Sequence, residues 1–185
     1  MWQVIYSQNM ANQVLIICVF LALALGISAK ICHSPFTQVG NKCYHVSLQK
    51  VNWHTADRSC RKLGGELMVL DGEEDKRLTI EYLHSLGLAI KDTWHDSVWA
   101  GIDCLGTRRS FHLSKNGDTV TFVNWVPSQP DNAIPEEDCV AFAHVFGVYG
   151  YHDIECKLEL PVVCQKDLAD KYFCQKQELF SEALM

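Results

Sequence analysis

Gln129-Pro130-Asp131, followed by Glu137 and Asp153, concentrates side-chain oxygens on one stretch of chain, with Cys139, Cys156 and Cys164 close behind to hold that stretch still. No matching set of bases accompanies them. Hard oxygen donors in this number suit a hard cation, and calcium, which takes about six to eight oxygen ligands, is the metal they fit. Cysteines that tie a loop in this way belong to an oxidising, extracellular setting.

Such donors need a frame to hold them. Residues 32–43 read as a small hairpin, with Ser34-Pro35 and Gly40-Asn41 as turn signals, which a bridge between Cys32 and Cys43 would pin. Trp53, Ala56, Cys60 and Leu63 recur at three and four residues, the spacing of one helix face, with Asn52 to cap its start and Gly64-Gly65 to end it. Asp71-Gly72-Glu73-Glu74 looks like a capping box before a second helix, with Leu78, Tyr82 or Leu83, and Leu86 turned inward. Val98-Trp99-Ala100-Gly101-Ile102 reads as a short buried strand. Residues 119–123 alternate like another, led in by the turn Lys115-Asn116-Gly117-Asp118, and 139–145 and 160–165 read as two more. Between 122 and 139 lie three prolines and no periodicity, the mark of a long loop that carries function.

The first 29 residues hold no charged side chain, and 14–27 is an unbroken apolar run. That run falls short of the about 20 residues that span a bilayer. It has the length of a signal-peptide core, so 1–29 is expected to be a leader cleaved near Ser28 or Ala29, with Met10 as an alternative start and a retained anchor as the competing reading. The rest suits one secreted domain, and its net charge of −6 excludes nucleic acid and anionic membrane as partners. Of nine cysteines, Cys18 leaves with the leader, so the remaining eight suit four bridges whose connectivity the sequence alone leaves open. No Cys-x-x-Cys suggests zinc. An enzyme built on His144, His152 and Asp153 is set aside, because no His-Glu-x-x-His, no Gly-x-Ser-x-Gly and no nucleophile beside a base occurs.

The ordered string Cys32, Cys43, Trp53-x-x-Ala56, Cys60, Gly64-Gly65-Glu66-Leu67, Trp99-Ala100-Gly101-Ile102, Asn124-Trp125, Gln129-Pro130-Asp131, Glu137-Asp138-Cys139, Tyr151-His152-Asp153, Cys156 and Cys164 resembles the C-type lectin-like domain, over residues 32–166. It is similar in particular to small secreted lectins of the galactose type from insects and other invertebrates. The resemblance implies an α+β fold in which two helices flank two small antiparallel sheets and a long loop binds calcium and sugar. It implies the bridges Cys60–Cys164 and Cys139–Cys156, with Cys32–Cys43 marking the long form. Closing the loop of about 100 residues between Cys60 and Cys164 would stabilise by about 4.7 kcal/mol. Cys104 and Cys174 are left over, either to bridge each other and tie down the tail 167–185, or to link two chains.

Carried onto this chain, the family's main calcium site uses side-chain oxygens of Gln129, Asp131, Glu137 and Asp153, with Pro130 in a cis bond. Sugar hydroxyls complete the metal's shell, so Gln129, Asp131, Glu137, His152 and Asp153 also face the sugar. In the family, Gln-Pro-Asp goes with galactose-type and Glu-Pro-Asn with mannose-type sugars. Three departures follow. His152 stands where an Asn oxygen normally meets calcium, and nitrogen is a poor ligand for so hard an ion, so the metal is either held more weakly or lost. Protonation of His152 near pH 6 would oppose a cation. Asn132-Ala133-Ile134 replaces the ring that stacks on galactose, leaving Tyr149 or Tyr151 as a substitute from the neighbouring strand unless they are core. The stretch from Cys104 to Arg109 has a thiol and basic residues where an auxiliary site needs carboxylates, so a single calcium is expected. The function implied is a secreted calcium-dependent lectin for galactose-type glycans on cell surfaces or microbes, serving agglutination and innate immunity, without catalysis or membrane insertion. It would be multivalent through homo-oligomers, for which the tail with Leu168, Tyr172, Leu179 and Phe180 is a candidate helix, or a frayed end. The alternative is a calcium-independent protein-binding module that keeps the fold and has lost the sugar.

Overall fold

The computed structural model describes residues 30–170 apart from 89 and 108. The expected leader, Cys174 and the tail beyond residue 170 lie outside the described residues. Cys32–Leu168 is one compact unit. Separately, β1 (Lys30–Ile31) and β10 (Ala169–Asp170) pair as a two-residue antiparallel ladder.

Helix α1 (Trp53–Lys62) forms where its spacing predicts. Asn52 Oδ1 accepts the Thr55 N–H at 2.9 Å, satisfying an otherwise orphaned donor, and Gly64 follows the helix with φ 73°. Its buried face is Trp53, Ala56 and Cys60. Helix α2 (Glu73–Ser85) starts differently from expectation. Its cap is Gly72, which offers no side chain, because the Asp71 carboxylate turns instead to the buried Lys42 ammonium at 2.8 Å. Lys42 also holds Asp75 at 2.7 Å, and an ammonium so enclosed outcompetes a cap for these carboxylates. Leu83 and Thr79 turn inward, whereas Leu86, past the last turn, is 46% exposed.

Two four-stranded antiparallel sheets carry the rest. The first runs β2 (Thr37–Val39), β3 (Lys42–Val51), β9 (Leu160–Asp167) and β4 (Glu66–Leu67), and the second runs β6 (His112–Leu113), β5 (Val98–Asp103), β7 (Cys139–Val145) and β8 (Val148–Ile154). The expected strand over 119–123 is not one. Thr119 makes a single bridge to His112, and the alternation instead reflects burial of Val120 and packing of Phe122 on the core. Two indoles bolt the layers: Trp53 Nε1–H donates to the Ala100 carbonyl at 2.9 Å, and Trp99 Nε1–H to that of Val51 at 2.7 Å. Leaving either buried donor unmet would cost about 1–3 kcal/mol. Bridges join Cys32 to Cys43, Cys60 to Cys164 and Cys139 to Cys156. Among the described residues Cys104 has no disulfide partner; it is 3% exposed, with Sγ 3.5 Å from Asp138 Oδ1.

The stem of the long loop lies along β8. Val126 N–H donates to Tyr151 O at 2.9 Å and Tyr151 N–H to Asn124 O at 2.7 Å. A Cβ at Gly150 would stand 2.6 Å from the Asn124 carbonyl, so only glycine admits the stem.

Candidate functional site

The loop 127–138 has no regular structure, and its shape depends on what it ties to. The Gln129–Pro130 bond is cis. The chief anchor is Asp153 on β8, a 2% exposed carboxylate beside the equally buried His152. Its Oδ1 accepts the Asp131 N–H at 3.1 Å, and its Oδ2 accepts the Asn132 N–H at 3.0 Å. Its own N–H donates to Gln129 Oε1 at 3.3 Å. The loop then turns back on itself, with Ala133 N–H on Asp131 Oδ1 and Ile134 N–H on Glu137 Oε2.

These bonds bring carboxylate oxygens of Asp131, Glu137 and Asp153 within 4.8 Å of one another. Residues 22 apart in the chain thereby share one small space. Burial, and behind it the charges of Asp153 and Asp131, push the Glu137 carboxyl above its ordinary value, although the Ile134 N–H works the other way. A cation would relieve that crowding, and an all-oxygen set beside the Gln129 amide suits calcium better than a softer metal. These residues fit the ion.

His152 is not a member of the carboxylate set. It is 3% exposed, its ring lies 5.3 Å from that of Trp94, and its Nε2 meets no hydrogen-bond partner among the described residues. Burial pushes it down to about 4 against the pull of Asp153, well below the pH near 6 at which the sequence places its protonation. Tyr151 is core: fully buried, its hydroxyl accepts the Leu70 N–H at 2.8 Å. Tyr149 lies face to face with His144 at 4.1 Å between ring centres, so neither tyrosine is a free sugar platform.

Two features escape the sequence reading. One is a cleft of about 320 Å³ over the carboxylates, walled by Trp94, Ile134 and Leu158. Trp94 comes from the irregular segment before β5, half-buried, with the exposed Phe146 edge-on to it at 6.1 Å. Its only sequence signal is a tryptophan in a segment without periodicity. The other is Arg109, whose Nη1 stands 2.6 Å from Asp153 Oδ2. The basic character of this stretch is visible in the sequence, but its reach of 44 residues to Asp153 is not.

Residues 49–166 match the family model described as the Lectin C-type domain. A relative named C-type lectin 37Db, from Drosophila melanogaster, is 30% identical over 128 residues, covering 69% of this chain and 79% of the relative. The galactose-specific lectin nattectin of Thalassophryne nattereri is 25% identical over 159 residues, covering 80% and 93%. Among solved structures, the mouse scavenger receptor C-type lectin carbohydrate-recognition domain is similar in fold with a TM-score of 0.61 at 22% identity, covering 75% of this chain and 98% of that one.

Proposed function

This chain belongs to the C-type lectin family, a family of carbohydrate-binding domains, and from that premise we propose that it is a secreted, calcium-dependent lectin preferring galactose-type sugars. The convergence of Asp131, Glu137 and Asp153 beside Gln129, under a cleft with an indole wall, is the observation that carries this reading. Calcium would be held by these oxygens, and two sugar hydroxyls would complete its shell while hydrogen-bonding the same carboxylates and amide. Gln129 offers both an acceptor and a donor and Asp131 only acceptors, an asymmetry that can sort hydroxyl orientations. Trp94 and Ile134 would cover the apolar face of the sugar, the part a ring after Asp131 would otherwise take.

A single exposed site of this kind binds a monosaccharide near 1 mM, or about −4 kcal/mol, and linking several raises avidity by about 100-fold or more. Homo-oligomers presenting several sites to microbial or cell-surface glycans would give agglutination and a role in innate immunity. The leader 1–29 would direct the chain outside the cell, and no catalytic step belongs to this reading. The test is retention on galactose resin with millimolar calcium and release by chelator. Failure to bind would favour the second reading, a calcium-independent protein-binding module, which the ion pair on Asp153 supports by occupying one oxygen of the metal set.

A further inference from the structure

Two amides of the loop 127–138 rest on one carboxylate, Asp153, and that carboxylate already has a cationic partner. The Asp153 side chain is fully buried, and a buried carboxylate without a cationic partner is costly. Arg109 is that partner. Its Nη1 donates to Asp153 Oδ2 at 2.6 Å and reaches Asn132 Oδ1 at 3.4 Å, so one guanidinium touches both the strand and the tip of the loop. The guanidinium also lies 5.2 Å from the centre of the Phe111 ring, which packs edge-on against Trp125 in the stem at 5.0 Å. Arg109 has a φ of 61°, a conformation that a residue with a Cβ adopts at a cost of about 1 kcal/mol. The same segment is tied to the far end of the loop, where Cys104 N–H donates to Asp138 O at 2.8 Å.

We propose that Arg109 is a built-in cation that orders the loop 127–138 without a metal, by pinning the Asp153 carboxylate through Nη1 so that its two oxygens stay on the Asp131 and Asn132 amides. Arg109 is a positioning residue: it acts on the sugar-facing side chains through Asp153 and Asn132. The carboxylate set brings three negative charges and Arg109 one positive. The site therefore keeps its shape in the absence of calcium and keeps enough negative charge to attract it. This clamp does not depend on the calcium-lectin reading, since it concerns the protein with no metal bound.

The test is amide hydrogen exchange of the full chain in chelator, comparing the parent with Arg109→Met and Arg109→Lys. Arg109→Met should speed exchange at Asp131 and Asn132 by about 10-fold or more, the change expected when a charge-assisted bond worth about 1.4 kcal/mol is lost. Strands β7 and β8 should keep their protection, and Arg109→Lys, which keeps the charge, should retain most of the loop's. Parent-like loop exchange in Arg109→Met would overturn the proposal. So would an equal loss in β7 and β8, or a lysine variant no better than methionine. Adding calcium to Arg109→Met separates the two readings: restored protection supports both, while no restoration leaves the clamp intact and counts against the metal.

Discussion

Glu137→Gln should stabilise the metal-free protein and damage the site at once. The change keeps the shape of the side chain and an oxygen for the Ile134 N–H, but removes one of three negative charges whose oxygens lie within 4.8 Å. Two like charges about 5 Å apart repel by about 0.8 kcal/mol under water-like screening and by about 3 kcal/mol at an effective dielectric near 20. Asp131 is exposed and Asp153 is paired with Arg109, so both repulsions sit near the lower figure. Relief of the two comes to about 1.5 kcal/mol, or about 5 °C in Tm for a unit of this size. The folded state binds the Glu137 proton more tightly than the unfolded chain does, because its folded value is raised. Its contribution to stability is therefore fully present below the ordinary glutamate value and is lost as pH rises through the raised one. The Gln variant should lack that decline. Thermal melts in chelator across acidic to neutral pH, beside a calcium titration followed by tryptophan fluorescence, read both effects. Calcium should bind the variant about 10-fold or more weakly, having lost a charged ligand. A variant no more stable than the parent in chelator would refute the crowding argument, and unchanged calcium binding would remove Glu137 from the metal set.

Trp94→Ala should weaken retention on galactose resin about 5-fold, from loss of about 1 kcal/mol of ring contact, while leaving calcium affinity near the parent's; equal retention would mean that the indole does not meet the sugar. His152→Asn should tighten both calcium and sugar, since it offers an amide oxygen in place of a nitrogen, and an unchanged or weaker titration would show that His152 is not a deficient ligand. The pH dependence of sugar binding above about pH 5 should be the same in parent and His152→Asn, because burial holds the imidazole at about 4; a step near pH 6 lost in the variant would contradict that burial.

What could be read in advance follows the range of each interaction. The Asn52 cap and the Trp53, Ala56, Cys60 face are set by neighbours within one turn, and α1 forms accordingly. The resemblance, resting on cysteine and tryptophan order, supplied the two-helix, two-sheet architecture. The capping box at Asp71 failed because Lys42, far back in the chain, takes the carboxylate, and no local pattern announces that competition. Residues 119–123 alternate as a strand would, yet a period of two arises equally when Val120 and Phe122 fill the core with no ladder beside them. The oxygen set at Asp131, Glu137 and Asp153 was visible as chemistry. The wall at Trp94, the burial of His152 and the hold of Arg109 on Asp153 all require distant segments to be in place first.

The stem along β8 has a consequence for how this surface can change. Its hold at 124–126 is made mainly by main-chain groups, Val126 N–H to Tyr151 O and Tyr151 N–H to Asn124 O, seated over the bare backbone of Gly150. A socket made of peptide groups does not read side chains. The loop it carries can therefore be rewritten without disturbing the stem, provided that the amides on Asp153 and the Arg109 contact with Asn132 are kept. The one substitution the socket forbids is at residue 150, where any side chain would lift the whole recognition surface from its base.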